Sequence, residues 1–290
     1  MQTKRFFCKN RTDSRENSFR LRACAFLLAL TLVLLTLSSS GCAQKNAFGR
    51  KDGLPVILVG CETYPPYSYE DTSGRPTGLD IDLANEAFRR IGYLAEFVYI
   101  EWENKKQLVE SGQIDCIWNC FSINGREDQY SWTEPYMYSH QVVAVRQDSD
   151  IYALSDLAGK RIAVQSTTIP EEIFLTHTDP RIPRVEEVFS LHNRELLYPY
   201  LSKGYADAIA AHETSILQCM SDYNLEYRIL DEPLLTAGLG AAFSKSDNRG
   251  LEKELSEVFA EMRQDGTLRE IIGRYFSDPD RFLEDVPYEE

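Results

Sequence analysis

Arg126 follows the turn Ser122-Ile123-Asn124-Gly125. An arginine beside a turn with free backbone N–H groups can hold a carboxylate in a two-pronged charged contact. Ser166-Thr167-Thr168 runs into a helix start at Pro170, and hydroxyls at a helix N-terminus suit the same anion. Glu213 opens another helical stretch, where its carboxylate can pair with an ammonium. Together these residues describe a pocket for a zwitterion. Each also has a plainer reading: Arg126 as a surface partner of Glu127 or Asp128, Glu213 as a first-turn acid favoured by the helix dipole, and the hydroxyls as caps. Tyr64, Tyr67 and Trp102 offer apolar or cation–π walls, with core packing the stronger reading for Tyr67. Asp80 and Asp82 stand at a helix start, where capping accounts for them. His140, His177, His192 and His212 are scattered, and no Ser–His–Asp spacing, GxSxG, HExxH or phosphate loop appears. Only His212 beside Glu213 hints at acid–base chemistry. Cys61, Cys116, Cys120 and Cys219 have neither CxxC spacing nor a nearby histidine, so no metal and no cofactor is expected. Buried free thiols are the favoured state; Cys61 and Cys120, both ending expected strands, are the pair to inspect for a disulfide.

The elements that must position these residues alternate along the chain. Short apolar runs predict strands at 56–61, 97–100, 114–120, 141–146, 161–165, 207–211, 227–230 and 239–243. Helical periodicity or capping signals predict helices at 80–91, 105–111, 170–176, 191–203, from 213, at 251–263 and at 268–276. The alternation argues an α/β protein with mostly parallel sheets. Ligands bind such sheets beyond the carboxyl ends of the strands. The residues that follow the expected strands are the ones singled out: Glu62 to Tyr67, Ser122 to Arg126, Ser166 to Thr168, and His212 with Glu213.

Of 290 residues, 43% are hydrophobic and 26% charged, which excludes collagenous, low-complexity and wholly disordered chains. The net charge is −14, from 31 basic and 45 acidic residues, and it is uneven. Seven bases and two acids precede Cys42, leaving 24 bases and 43 acids, a net of −19, in the remainder. So acidic a body has no footprint for nucleic acid and is repelled by an anionic membrane surface. The basic start, the apolar run 23–37 and Ser38-Ser39-Ser40-Gly41-Cys42 have the order of a secretory signal peptide over 1–41. The run is shorter than the ~20 residues of a spanning helix. A cysteine directly after Ser-Gly resembles a bacterial lipoprotein signal, in which Cys42 receives the lipid and holds the protein on the extracytoplasmic face of the membrane. Ser39 occupies the position where that signal usually has Leu. Residues 42–53 read as a tether.

Several motifs, in order, resemble the family 3 solute-binding proteins, the polar amino-acid receptors of ABC importers. They are Pro65-Pro66-Tyr67-Ser68-Tyr69, Thr77-Gly78-Leu79-Asp80-Ile81-Asp82-Leu83, Trp102, Val109-Glu110-Ser111-Gly112-Gln113-Ile114-Asp115, Ser122 to Arg126, Trp132-Thr133-Glu134-Pro135-Tyr136, Ser155 to Lys160, Gly204 to Ala208, Asp265-Gly266-Thr267-Leu268 and Arg274-Tyr275-Phe276. The resemblance covers 54–276. It implies a two-lobe periplasmic-binding-protein-like fold of type II, with two crossing segments and a ligand cleft between the lobes. Lobe one is expected at 54–143 plus 237–290 and lobe two at 144–236, with crossings near 142–146 and 236–240. Carried over by position, the carboxylate-binding arginine is Arg126 and the hydroxyl and backbone contact is Ser122, one residue closer to it than the family usually has. Tyr64 is the first-loop aromatic with Glu62 near it, and Trp102 is the sandwiching aromatic. Ser166, Thr167 and Thr168 form the second lobe's anion loop, and Glu213 takes the ammonium-binding role. Asn119 or Cys120 supplies a carbonyl. The implied function is a non-catalytic, monomeric, membrane-tethered receptor that delivers an amino acid to an ABC permease. The alternatives are a cyclic-carboxylate dehydratase-like enzyme on the same fold and a sensory solute-binding module.

Overall fold

The computed structural model describes residues 50, 51 and 53–284. Cys42, the leader and the start of the tether lie outside the described residues. Within the expected tether, Arg50–Lys51 is already a strand, β1, paired with the start of β2. The chain continues through β2 (Leu54–Cys61), β3 (Tyr69–Glu70), β4 (Pro76–Thr77), α1 (Leu79–Arg90), β5 (Leu94–Tyr99), α2 (Lys105–Glu110), β6 (Cys116–Ile117) and β7 (Ser131–Trp132). The long β8 (Met137–Arg146) leads to β9 (Arg161–Gln165), α3 (Ile169–Thr176), β10 (Glu187–Leu191), α4 (Leu197–Ser202), β11 (Ala208–His212), α5 (Glu213–Tyr223) and β12 (Tyr227–Ile229). The return path is β13 (Leu235–Leu239), β14 (Ala242–Phe243), α6 (Leu251–Gln264) and α7 (Thr267–Gly273).

Two six-stranded sheets result, ordered β1-β2-β6-β14-β7 with β5 on β2, and β10-β9-β11-β8-β12 with β13 on β8. Strand alternation sends successive side chains into opposite cores. Ile57, Val59, Cys116 and Phe243 face a core shared with α1, α6 and α7, while Ile117 and Ala242 face Trp102, Val109 and Phe121. In the second sheet Val143, Val145, Ile162 and Val164 face one core, and Val142, Ala144, Ala163 and Ile209 face the other. β8 and β13 connect the sheets as an antiparallel pair, from Met137 opposite Leu239 to Gln141 opposite Leu235. Met137 and Leu239 belong to the first core and Val142 and Val143 to the second, so the first crossing lies a few residues before the expected 142–146.

The sheets are mixed rather than mostly parallel. β2 with β5 and β6, and β9 with β10 and β11, pair in parallel. The crossing strands run the other way, so β8 meets β11, β12 and β13 antiparallel, and β14 does the same with β6 and β7. The expected helix 191–203 loses its start to β10, which finds the free edge of β9, and only Leu197–Ser202 is α-helical. The expected strand 114–120 shrinks to Cys116–Ile117. The expected strand 239–243 is two strands, because Gly240 marks the passage from one sheet to the other. Asp80 does not cap α1: its carboxylate accepts from Cys120 N at 2.5 Å and Tyr136 Oη at 2.9 Å, fixing the loop after β6. Gly78 is required before α1, since it sits at φ 124 and a Cβ there would lie 2.4 Å from the Tyr67 carbonyl oxygen. Cys61, Cys116, Cys120 and Cys219 are buried free thiols. No helix among the described residues is long and apolar enough to cross a membrane.

Candidate functional site

The carboxyl ends of β2, β6, β9 and β11 converge on one buried cavity. Tyr64, Trp102, Cys120, Ser122, Arg126 and Thr168 line it, as expected from sequence, together with Gln141, Gln165, Arg194 and His212. Its free volume is about 30 Å³, room for one or two waters. Tyr64 and Arg194 also line a groove of about 440 Å³ behind it.

Arg126 is set by its turn: Gly125 takes φ 72, and Arg126 N donates to the Ile123 carbonyl at 2.9 Å. The side chain is 8% exposed. Nη1 donates to the Ser122 carbonyl at 3.3 Å, Nη2 donates to the Thr167 carbonyl at 3.1 Å, and the guanidinium lies 5.2 Å from the Phe121 ring centre. Among the described residues no carboxylate forms an ion pair with it. It is no surface partner of Glu127 or Asp128. Trp102 packs edge-on against Phe121 at 5.2 Å, and its indole N–H has no acceptor among the described residues. Thr167 sits at φ 57, and its carbonyl and hydroxyl receive Lys105 Nζ at 3.3 and 2.6 Å. Thr168 Oγ1 donates to the Gln165 carbonyl. Ser166 is buried and donates its N–H to Leu191 O, but it does not line the cavity. Asn119 is likewise buried off the cavity wall.

Glu213 is the main correction. It opens α5, but its carboxylate takes a 2.7 Å hydrogen bond from Arg281 and does not line the cavity. The strand-end residue that faces inward is His212, one position earlier. His212 is held between Gln141 Nε2 at 2.7 Å and Ser139 Oγ at 2.9 Å. Burial, then Arg194 and Arg126, push it down to about 3, so it is a neutral ring at pH 7. His212 and Glu213 therefore form no acid–base pair. The carboxylate tied to the site is Glu62, which does not line the cavity but bonds two residues that do. It accepts from Gln165 Nε2 at 2.8 Å and is salt-bridged to Arg194.

Two basic residues were not anticipated. Arg194 reaches over the Tyr64 ring, 3.1 Å from its centre, to Glu62. It lay inside an expected helix and carried no signal of its own. Lys105 lies 4.6 Å from the Trp102 ring centre and donates to the Trp102 carbonyl. Its i,i+3 spacing from Trp102 was a legible signal. Lys105 is 4% exposed, and burial, then Arg126, lower its pKa to about 7. Tyr67, in the core as expected, also spans to the second lobe through a 2.6 Å contact with Thr214 Oγ1. Among the described residues no group of His, Cys, Asp and Glu side chains could hold a metal ion.

Residues 56–278 match the bacterial extracellular solute-binding proteins, family 3. The histidine-binding periplasmic protein of Salmonella typhimurium is 31% identical over 259 residues, covering 86% of this chain and 96% of its own. An L-cystine-binding protein of Escherichia coli is 27% identical over 225 residues, covering 76% of this chain and 82% of its own. The solved structure of an ancestral arginine-binding protein bound to glutamine aligns with a TM-score of 0.69 at 26% identity, over 77% of this chain and 98% of that one. Two lobes joined by paired crossing strands, a cavity at the strand ends and a match through nearly all of the described residues have one reading: the chain belongs to the bacterial extracellular solute-binding proteins, family 3.

Proposed function

We propose that this protein is an extracytoplasmic receptor that captures an amino acid between its lobes and delivers it to an ABC importer. The observation that carries the reading is Arg126: a guanidinium buried at the strand ends whose hydrogen bonds, among the described residues, go to the backbone carbonyls of Ser122 and Thr167. A buried cation favours a paired anion, and a ligand carboxylate is the group this turn fits. Ser122, Thr168, Tyr64 and Trp102 complete the contact surface. Capture requires opening, since about 30 Å³ cannot hold an amino acid. The two lobes part about β8 and β13, where Met137–Gln141 pairs with Leu235–Leu239. Opening breaks Arg126 to Thr167, Lys105 to Thr167, Tyr67 to Thr214 and Glu62 to Arg194. The receptor acts as a monomer without catalysis, a reading that the neutral, hydrogen-bonded His212 supports, since it forms no pair with Glu213. A lipid on Cys42 tethers it to the membrane.

The test is calorimetry of the purified protein against the twenty amino acids and cystine. Binding of at least one, lost in Arg126→Ala with an unchanged far-UV circular dichroism spectrum, supports the reading. Affinity retained within a few-fold in that variant refutes the assigned site. Labelling with an alkyne fatty acid, absent in Cys42→Ala, tests the anchor.

A further inference from the structure

The receptor reading leaves the chemistry of the ligand's side chain open, and the charges at the cavity constrain it. Arg126 and Arg194 line the cavity, Lys105 at the start of α2 lies against Trp102, and each of the three is less than a tenth exposed. Arg126 Nη2 and Lys105 Nζ share the Thr167 carbonyl at 3.1 and 3.3 Å, and Arg126 and Arg194 line the same cavity. Among the described residues the carboxylate bonded to this set is Glu62, and it is committed to Arg194 and Gln165. Glu103 turns to His192, Glu171 accepts from the Thr167 N–H, and Glu213 turns to Arg281. His212, at the end of β11, is neutral. Arg126 and Arg194 against Glu62 thus leave a net positive charge at the cavity, which a zwitterionic amino acid, neutral overall, does not offset. Unsatisfied donors point the same way. Arg194 Nε and Trp102 Nε1 are buried with no acceptor among the described residues. The unpartnered oxygens of Gln141 and Gln165 leave acceptors for a neutral or ammonium N–H.

Resting on the receptor reading, we propose that Arg194 and Lys105 form, with Arg126, a second anion subsite, and that the ligand is a small molecule bearing two acidic groups. One acidic group replaces the Thr167 carbonyl at Arg126. The other lies between Arg194 and Lys105, and the apolar part of the ligand rests on Tyr64 and Trp102. A cationic ligand could compete only by displacing Arg194 from Glu62 and Tyr64. That exchange adds the ligand's net positive charge to a cavity where two arginines already face one protein carboxylate, which the low-dielectric cavity opposes.

The experiment is calorimetry of the purified protein with L-glutamate, L-aspartate, 2-oxoglutarate and succinate, against L-glutamine, L-histidine, L-arginine and L-cystine. The expected result is at least one diacid bound a hundredfold or more tighter than L-histidine and L-arginine. Where L-glutamate is that ligand, L-glutamine should be weaker by a similar factor, a comparison that needs no variant. Arg194→Gln and Lys105→Met should each weaken the diacid tenfold or more. Arg194→Gln should leave or improve the weak binding of L-arginine. Tighter binding of L-histidine, L-arginine, L-glutamine or L-cystine, still lost in Arg126→Ala, overturns the diacid proposal while the receptor reading stands. Binding of none of these compounds or of the other amino acids overturns both.

Discussion

Lys105 gives the sharpest test of the charge argument, because its effect on the free protein has the opposite sign from its effect on binding. Its pKa falls from an ordinary 10.5 to about 7 through burial first and Arg126 second. The folded value lies below the unfolded one, so between about pH 7 and 10.5 unfolding takes up a proton. The lysine therefore destabilises the fold fully below pH 7, and the wild-type protein recovers stability as pH rises through that window. Relative to an uncharged side chain, the penalty is ~4 kcal/mol at pH 7 and ~2 kcal/mol at pH 9. Lys105→Met removes it but gives up three hydrogen bonds, to the Trp102 carbonyl and to the carbonyl and hydroxyl of Thr167, about 1 kcal/mol each. The variant should be more stable by ~1 kcal/mol at pH 7, with the advantage gone just above pH ~8 and reversed by ~1 kcal/mol at pH 9. Urea unfolding of both proteins from pH 6 to 9 measures the difference, and contributions of other groups cancel in it. A difference independent of pH, or a variant less stable at pH 7, would refute the reasoning.

Three further outcomes follow from the same structure. Glu213→Gln should change ligand affinity less than threefold, because its carboxylate is held by Arg281 outside the cavity; a hundredfold loss by calorimetry would return Glu213 to the site. Burial pushes the Cys61 thiol up to about 12 and the Cys219 thiol to about 11, and Cys116 and Cys120 well above the ordinary range. A thiol-specific colour reagent at pH 8 should therefore react with all four only on denaturation, and fast native labelling of any would contradict that burial. Gly78→Ala should destabilise the protein by about 2 kcal/mol or more, since it combines a left-handed strain with a clash at the Tyr67 carbonyl; an unchanged melting midpoint would contradict it.

What could be read from sequence was whatever a local pattern encodes. The runs at Leu54–Cys61 and Arg161–Gln165 are apolar on both faces because both sheets are covered on both sides, so each announced itself as a buried strand. The rule that ligand loops follow strands located Tyr64, Ser122, Arg126 and Thr168, since it needs only strand ends. Pairing direction was illegible: nothing in 137–146 says that this strand will reverse beside Ala208–His212. β10 was illegible for a similar reason, because its partner edge on β9 exists only in the folded sheet. At Asp80 a capping pattern was present, yet the carboxylate serves Cys120 and Tyr136, forty and fifty-six residues away.

His212 and Glu213 show why a strand-end rule fixes the neighbourhood and not the residue. Adjacent positions at the exit of β11 point to opposite sides of the sheet, so a one-residue choice decides whether the cavity receives a carboxylate or an imidazole. The sequence offers both, and only packing selects. Here His212 turns inward against Gln141 and Ser139, and Glu213 turns outward to Arg281. The consequence spreads beyond one side chain. With no carboxylate at that wall, the negative charge near the cavity comes from Glu62 on the opposite loop, and Glu62 is already bound by Arg194. Arg194, from inside an expected helix, and Lys105, against Trp102, thereby set the positive sign around the cavity. A ligand must meet that sign or rearrange the Glu62–Arg194 pair that helps hold the lobes together, so selectivity and closure are read out through the same bond.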